Sequence, residues 1–461
     1  MRKMKRLIEK LSGLWVVGAF VIGMFYTEAY YFNMLEAKAG CVMLLAIGGL
    51  ALIVVQGMWK ERHPIDWTVL WFLTAVVLAN LVTPYKEEAF YGSYGWHVGT
   101  LLLLLLGGVY AGLRRVETVP IAWLYGVAVF VSLEFAWVVA NGFYLDIFGY
   151  HNHLAKEDYG RYVGSIGNTN WYVGFLALVL PFFYYGAIYG EKRWQRGICA
   201  LGVWLGGMSA ITIHCDGIFL VLYVLIIGSA FYGLQNGKLL LVWRMDGLLC
   251  VSVGCVWLLS RWIPMVPSDG LARIALRPEI WGSGLLVCTL LYGVTKWRTD
   301  KKRRKVAWVL LGSSLVVVLV GIIYVAGQFD NHWGTNRGYI WKKALAIYKE
   351  FSPVQKIFGG GANCFGKYYQ AQTGSDWVRN AHNELLEYLV CTGGFGVCAY
   401  LAVFISAMRE KTQEQPFLIA GKLALLAYFV QGCVNNPQAY NAFILVMVFA
   451  IYRRTAENVL K

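Results

Sequence analysis

Charge is scarce in this chain. Only 15% of its 461 residues are Asp, Glu, Lys or Arg, against about a quarter in soluble domains. A soluble protein of this length would form two or three domains with far more surface charge. Cysteine clusters are also missing. The ten cysteines form no CxxC and no alternating Cys/His group, so they read as small apolar packing residues. No internal repeat and no low-complexity linker divides the chain, and residues 1–461 read as one integral membrane domain.

Apolar length is what the sequence has instead. Hydrophobic residues make up 58% of it, in runs of about 17–22 residues that match a bilayer's hydrocarbon core. LLLLLLGGVYAGL (101–113), IAWLYGVAVFVSLEFAWVVA (121–140) and VAWVLLGSSLVVVLVGIIYVAG (306–327) are the plainest. The expected fold is all-α: a polytopic transmembrane helical bundle of 12–14 spans. Fourteen are read, near 15–35, 39–59, 67–83, 96–113, 119–140, 168–189, 197–213, 216–234, 245–263, 280–296, 306–327, 385–408, 417–434 and 438–452.

Basic residues orient the bundle. MRKMKR, WKERH (59–63), LRRVE (113–117), EKRWQR (191–196), KWRTDKKRRK (296–305), REK (409–411) and YRR (452–454) fall on one side if the helices alternate. That side holds about 27 of the 41 Lys and Arg but only about 10 of the 26 Asp and Glu. The positive-inside rule then puts both termini in the cytoplasm of a multi-pass inner-membrane protein. The net +15 is therefore a topology signal, with no nucleic acid implied. The basic start could also open a signal peptide ending at Ala37–Lys38–Ala39. Its apolar stretch is too long, and Tyr30, Tyr31 and Phe32 are bulky near the exit, which favours an uncleaved first span.

Two segments on the opposite, extracytoplasmic side are long enough to be more than turns: 141–167 and the large loop 328–383. RGYIWKKALAIYKEF (337–351) sets Ile340, Trp341, Ala344, Leu345, Ile347 and Tyr348 at helical spacing, an amphipathic helix expected at the bilayer surface, and Pro353 ends it. In KIFGGGANCFGKYYQ (356–370) three consecutive glycines could aim N–H groups at an anion or form a structural turn.

The loop re-enters the membrane through RNAHNELLEYLVCTGGFG (379–396). Asn380 or Asn383 can cap the following helix, with Glu384 and Glu387 at its positive end. His382 then sits beside a helix N-terminus, where the ring stays neutral, as a general base requires. It could equally be a hydrogen-bonding anchor. Arg161 precedes another span and could snorkel to headgroups. Yet Arg161, Arg337, Lys342 and His382 share one face, and two arginines could hold a diphosphate by bidentate hydrogen bonds. Glu28 and Glu134 lie near span ends without a clear role. His151 and His153 read as solvated loop residues more than as metal ligands.

Three blocks together resemble the O-antigen ligase/polymerase superfamily of membrane glycosyltransferases. The first is RYVGSIGNTN (161–170). The second is NRGYIW (336–341), followed by GGGANCFG (359–366). The third is AHNELLEYLVCTGGFG (381–396). Residues from about 160 to 400 carry the resemblance. It implies transfer of an undecaprenyl-diphosphate-linked oligo- or polysaccharide to a hydroxyl of a lipid, glycan or protein acceptor outside the cytoplasmic membrane. On the same footing Arg161 and Arg337 bind the diphosphate and His382 is the base. Asn168, Asn170, Gly360, Gly361 and Asn383 belong to the matching blocks as substrate-binding candidates, and no metal, nucleotide or other cofactor is implied. The chain departs from the family at HCDG (214–217), where Ser-Arg-Gly is common. Asp216 there either contacts substrate or an arginine, or caps the eighth span.

Two other classes compete. A transporter or flippase of lipid-linked glycan would carry midplane charges on broken helices and repeated halves, whereas the spans here look nearly free of charge. A scaffold would not need Arg161, Arg337 and His382 to converge. The motifs do not separate ligase from polymerase.

Overall fold

The computed structural model describes residues 2–28, 31–57, 65–116, 120–268, 270–296, 300–412 and 415–460. Of the basic segments, Met1, 59–63, 117 and 297–299 lie outside the described residues, as does Tyr30. The helices are α1 (Arg2–Phe25), α2 (Met34–Gly57), α3 (Trp67–Val82), α4 (Lys86–Tyr91), α5 (Thr100–Leu113), α6 (Ile121–Gly142) and α7 (Thr169–Tyr189). After these come α8 (Arg193–Thr212), α9 (Gly217–Gln235), α10 (Leu239–Leu259), α11 (Gly270–Ala275), α12 (Pro278–Lys296) and α13 (Asp300–Gly327). The chain ends with α14 (Trp333–Glu350), α15 (Pro353–Phe358), α16 (Phe365–Thr373), α17 (Glu384–Arg409), α18 (Pro416–Gly432) and α19 (Ala439–Leu460). Strands are absent among the described residues.

The fold is that of a polytopic helical membrane protein, and each of the fourteen apolar segments overlaps a helix. Among the described residues, seven helices are long and apolar enough to cross a membrane: α2, α6, α7, α9, α10, α13 and α17. Shorter apolar helices occur in α1, α3, α5 and α18. The first span is shifted from its expected place at 15–35. Helix α1 runs through the basic start and stops at Phe25, where Lys38 of α2 reaches back to the carbonyls of Gly23 (3.0 Å) and Met24. A buried ammonium thus satisfies the carbonyls that a helix end leaves open.

Helix α7 is the central element, with 89% of its span buried, whereas the span of α13 is only 11% buried and presents valines and isoleucines outward. Helix α7 packs against α18, α8, α9 and α19, which holds it firmly within the bundle. Connections meet at two ends of the bundle. At one end Arg453 lies against Asp66 (3.5 Å) and pairs with Glu410, and Arg114 pairs with Glu457. At the other, Arg379 Nη1 donates to the carbonyl of Tyr94 (3.0 Å), Lys367 pairs with Glu88 (3.0 Å), and the N–H of Val266 donates to the carbonyl of Gly142 (2.9 Å). Each contact joins segments that strict alternation of the helices puts on one side.

The spans are less free of charge than expected. Lys38, Glu134, Asp246, Glu384 and Glu387 are all buried. Each is hydrogen-bonded nearby, as low-dielectric burial demands: Asp246, for example, accepts from Tyr184 Oη at 2.7 Å. Helix α14 departs from expectation too. Its face of Ile340, Ala344 and Ile347 packs into a cluster with Phe365, Tyr369 and Val390, so this part of the amphipathic stripe is covered by protein, while Leu345 stays exposed.

Helix α17 is broken at Gly393, whose φ is 69°. The break frees the carbonyls of Val390 and Cys391, and these accept from the N–H groups of Gly360 (2.8 Å) and Gly361 (2.9 Å). A freed backbone group inside a membrane protein must find such a partner. A Cβ on Gly393 would run into the carbonyl of Ile357 and the amide of Gly359. We therefore expect Gly393→Ala to destabilise the protein by about 1–3 kcal/mol, while Gly321→Ala, in open space on α13, stays within about 0.5 kcal/mol. Thermal unfolding of the detergent-solubilised protein, followed by tryptophan fluorescence, checks both.

Candidate active site

RYVGSIGNTN is held by the end of α6. Asn141 Oδ1 accepts from the N–H of Gly164 (2.9 Å), and the Glu134 carboxylate accepts from the N–H (2.9 Å) and Oγ (2.7 Å) of Ser165. Gly164 has φ 51°, and a side chain there would strike Glu134, so the turn needs glycine. Glu134 is thus the loop's anchor, a role its sequence context did not reveal. The turn delivers Asn168 as the N-cap of α7, its side chain accepting from the N–H of Asn170 (2.9 Å).

Asn170 is the hub. Its Oδ1 accepts from Arg337 Nη2 at 3.1 Å and from Cys215 Sγ at 3.4 Å, and its carbonyl accepts from Asn435 Nδ2 at 2.6 Å. Arg337 begins the regular part of α14, just after Gly334, Thr335 and Asn336 take left-handed backbone angles. Only its Nη groups have partners, the second being the carbonyl of Gly334 at 3.5 Å, and its buried Nε has none among the described residues. Burial lowers the guanidinium from its ordinary value, opposed by Cys215 and Asp216; it remains charged.

His382 stands in the field of that cation. Its backbone is left-handed, φ 48°, pinned on either side of the ring. The N–H of Ala381 donates to Glu387 (2.7 Å), the N–H of His382 to Asn380 Oδ1 (3.1 Å), and Asn383 caps α17 by accepting from the N–H of Leu386 (3.1 Å). Such strain persists only where the surroundings over-determine it. Burial first, and the Arg337 charge second, push the imidazole down to about 4. The neutral ring expected from the sequence is thus traced to burial and a neighbouring cation. Its buried Nδ1 has no partner among the described residues.

The other candidates have partners of their own. Arg161 is 74% exposed and pairs with Asp158 at 3.0 Å; no described contact brings it to Arg337 or His382. Asp216 does not cap α9 with its side chain; it accepts from the N–H of Leu271 (2.8 Å) and faces Arg337 electrostatically. Gly360 and Gly361 spend their N–H groups on the break in α17, so they serve as the turn that locks that break. Lys342 donates to Asn331 Oδ1 (2.9 Å). His151 is buried, its Nε2 3.0 Å from the carbonyl of Tyr162, and stacks on Tyr159; it is a packing histidine and not a solvated one.

The turn between α18 and α19 was missed. Gln431, Asn435, Asn436, Gln438 and Asn441 are all buried there. Asn435 bonds Gln431 Oε1 (2.9 Å) as well as Asn170, and Asn441 Nδ2 donates to the carbonyl of Trp171 (2.8 Å). The signal was present as QGCVNNPQAYN (431–441), a polar run between two apolar stretches.

No curated protein matches the chain. Residues 247–401 match the family model described as O-antigen ligase, a stretch that includes Arg337, His382 and the glycine turn. The match supports glycosyl transfer in polysaccharide or O-antigen assembly, on lipid-linked glycans in a membrane setting.

His382 should titrate far below an ordinary histidine. Between about pH 4 and 6.5 the unfolded chain binds the proton and the folded chain does not. The histidine's contribution to stability is therefore present above pH 6.5 and lost as pH falls towards 4. Side-chain-labelled histidine NMR should give a His382 midpoint well under 6; a midpoint near 6.5 would contradict the buried, cation-flanked setting.

Proposed function

We propose that this protein, a member of the O-antigen ligase/polymerase superfamily, moves a glycan from undecaprenyl diphosphate to an acceptor hydroxyl at the extracytoplasmic face of the membrane. The observation that carries the reading is a half-buried guanidinium, with donors to spare, whose charge helps burial to keep the His382 imidazole neutral. His382 takes the proton from the acceptor hydroxyl. The hydroxyl oxygen attacks the anomeric carbon, the bond from that carbon to the diphosphate oxygen breaks, and the electron pair leaves with the lipid diphosphate. Arg337 opposes the charge growing on that oxygen, in a site whose dipoles are already oriented.

Arg161 acts as the second cation. Its surface pairing with Asp158 is of a kind worth only about 0–1 kcal/mol, so an incoming diphosphate can compete for it. Asn170 holds Arg337 in place from α7, and the Asp216 charge favours its charged form. Asn168 and Asn383 cap the two helices that present the site, and their contribution to substrate is through that shape. The basic residues put the other end of the bundle in the cytoplasm, with both termini. A ligase acceptor would be a lipid or protein; a polymerase acceptor is a second carrier-linked glycan.

His382→Ala should abolish transfer while the protein remains in the membrane at its normal amount. Arg337→Ala should lose about 2–4 kcal/mol of transition-state stabilisation. Arg337→Lys should fail as well, since a lysine cannot reproduce the fork that holds Asn170 and a phosphate oxygen together. Analysis of lipid-linked species in deletion and variant strains provides the readout. Accumulated long chains identify a ligase and accumulated single repeats a polymerase. Unchanged glycan in the His382→Ala strain would remove the base from the mechanism.

A further inference from the structure

A second feature lies at the same end of the bundle. A cavity of about 690 Å³ opens beside α4 and the turn that follows it, with Tyr85, Tyr91, Tyr94, Glu87, Glu88 and Lys367 on its walls. Tyr91 is 52% and Tyr94 70% exposed. We propose that this groove is a glycan subsite, in which pyranose rings of the substrate's sugar chain stack on Tyr91 and Tyr94 beside the Arg337–His382 centre. The proposal rests on the glycosyl-transfer reading and specifies where the sugar chain runs.

The chemistry of the walls matches a sugar. A pyranose presents C–H groups on one face, which suit the negative face of a tyrosine ring, and hydroxyls at its rim, which suit carboxylate acceptors and an ammonium donor. Tyrosines that merely anchor a helix at the membrane interface face headgroups. These share a concave wall with two glutamates and a lysine instead. By contrast, the apolar crevice of about 280 Å³ between α1, α6 and α7 has an almost wholly hydrocarbon lining and offers a sugar nothing.

The groove is also built rather than incidental. Gly92 and Gly99 cross so closely that a side chain on either would meet backbone, which closes the turn carrying Tyr94. Ser93 locks that turn to the glycine-rich segment of the large loop, its N–H (2.8 Å) and Oγ (2.9 Å) both donating to buried Asn363 Oδ1. Lys367 pairs with Glu88 at 3.0 Å, and Tyr85 packs edge-on against Tyr368. Finally, Arg379 Nη1 donates to the carbonyl of Tyr94 (3.0 Å), and Arg379 lies three residues before His382 in the chain. The groove wall and the segment that bears the base are one connected structure.

The test uses full-length protein in detergent and oligosaccharides of one to four repeats released by mild acid from the host's own surface polysaccharide. Saturation-transfer NMR should show transfer to ring protons in the wild type and in Tyr91→Phe/Tyr94→Phe. The signal should weaken about tenfold in Tyr91→Ala/Tyr94→Ala, the loss expected for two aromatic contacts. Tyr94→Ala alone, at the most exposed position, gives a smaller loss and guards against misfolding of the double variant. In transfer assays the alanine variants should raise KM for the glycan rather than lower kcat. His382→Ala should do the reverse, losing turnover and keeping the binding signal. Wild-type binding without transfer would overturn the glycosyl-transfer reading and leave the groove standing. Alanine variants that bind as the wild type does, or that lose only their association with phospholipid vesicles, would overturn the groove.

Discussion

The hydrogen bond from Arg337 to Asn170 is the join on which the site depends. It connects the large loop to the start of α7, the most deeply packed helix of the bundle. It ties down the first part of the loop, while the glycine turn, Asn363, Lys367 and Arg379 hold the later part. With Arg337 held, α14 packs its apolar face onto α16 and α17, and the segment leading into α17 brings His382 under the guanidinium's field. A charge-assisted bond suits this role, since it is stronger and more directional than a neutral one. Asn170 is itself braced by Asn435 from the far end of the chain.

Around that join the same physical demand recurs. Backbone groups freed inside an apolar bundle must be satisfied by protein. Lys38 answers the end of α1, Glu134 and Asn141 answer the turn before α7, and the amides of Gly360 and Gly361 answer the break in α17. The glycines follow from these close approaches. Those at 164, 361 and 393 take positive φ where loop backbone meets a neighbouring helix. The short motifs thus encode loop-to-helix junctions as much as chemistry, and the reactive side chains are held by them.

Much of this was legible in the sequence, because hydrophobic length and charge asymmetry are local signals. The apolar segments all became helices, and RYVGSIGNTN, NRGYIW and AHNELL marked the stretches that hold Asn170, Arg337 and His382. Long-range pairing was not legible. Nothing near Glu134 announces that it anchors a turn 31 residues on, and nothing near Asn435 announces Asn170. Helix α1 begins before the apolar run because a hydropathy pattern does not mark where a helix starts in a charged segment. The stripe on α14 was assigned to lipid because an amphipathic face looks the same whether lipid or protein covers it. Arg161 shows another limit: its motif position gave no hint of its surface pairing with Asp158.

The central claim is that a guanidinium and an uncharged imidazole share one buried field at the end of the bundle. The His382 titration in Arg337→Gln, compared with the wild type, tests this most directly. Loss of the nearby charge should raise the His382 midpoint from about 4 part of the way towards an ordinary histidine, leaving the share due to burial. An identical midpoint in the two proteins would mean that the two side chains do not share a site.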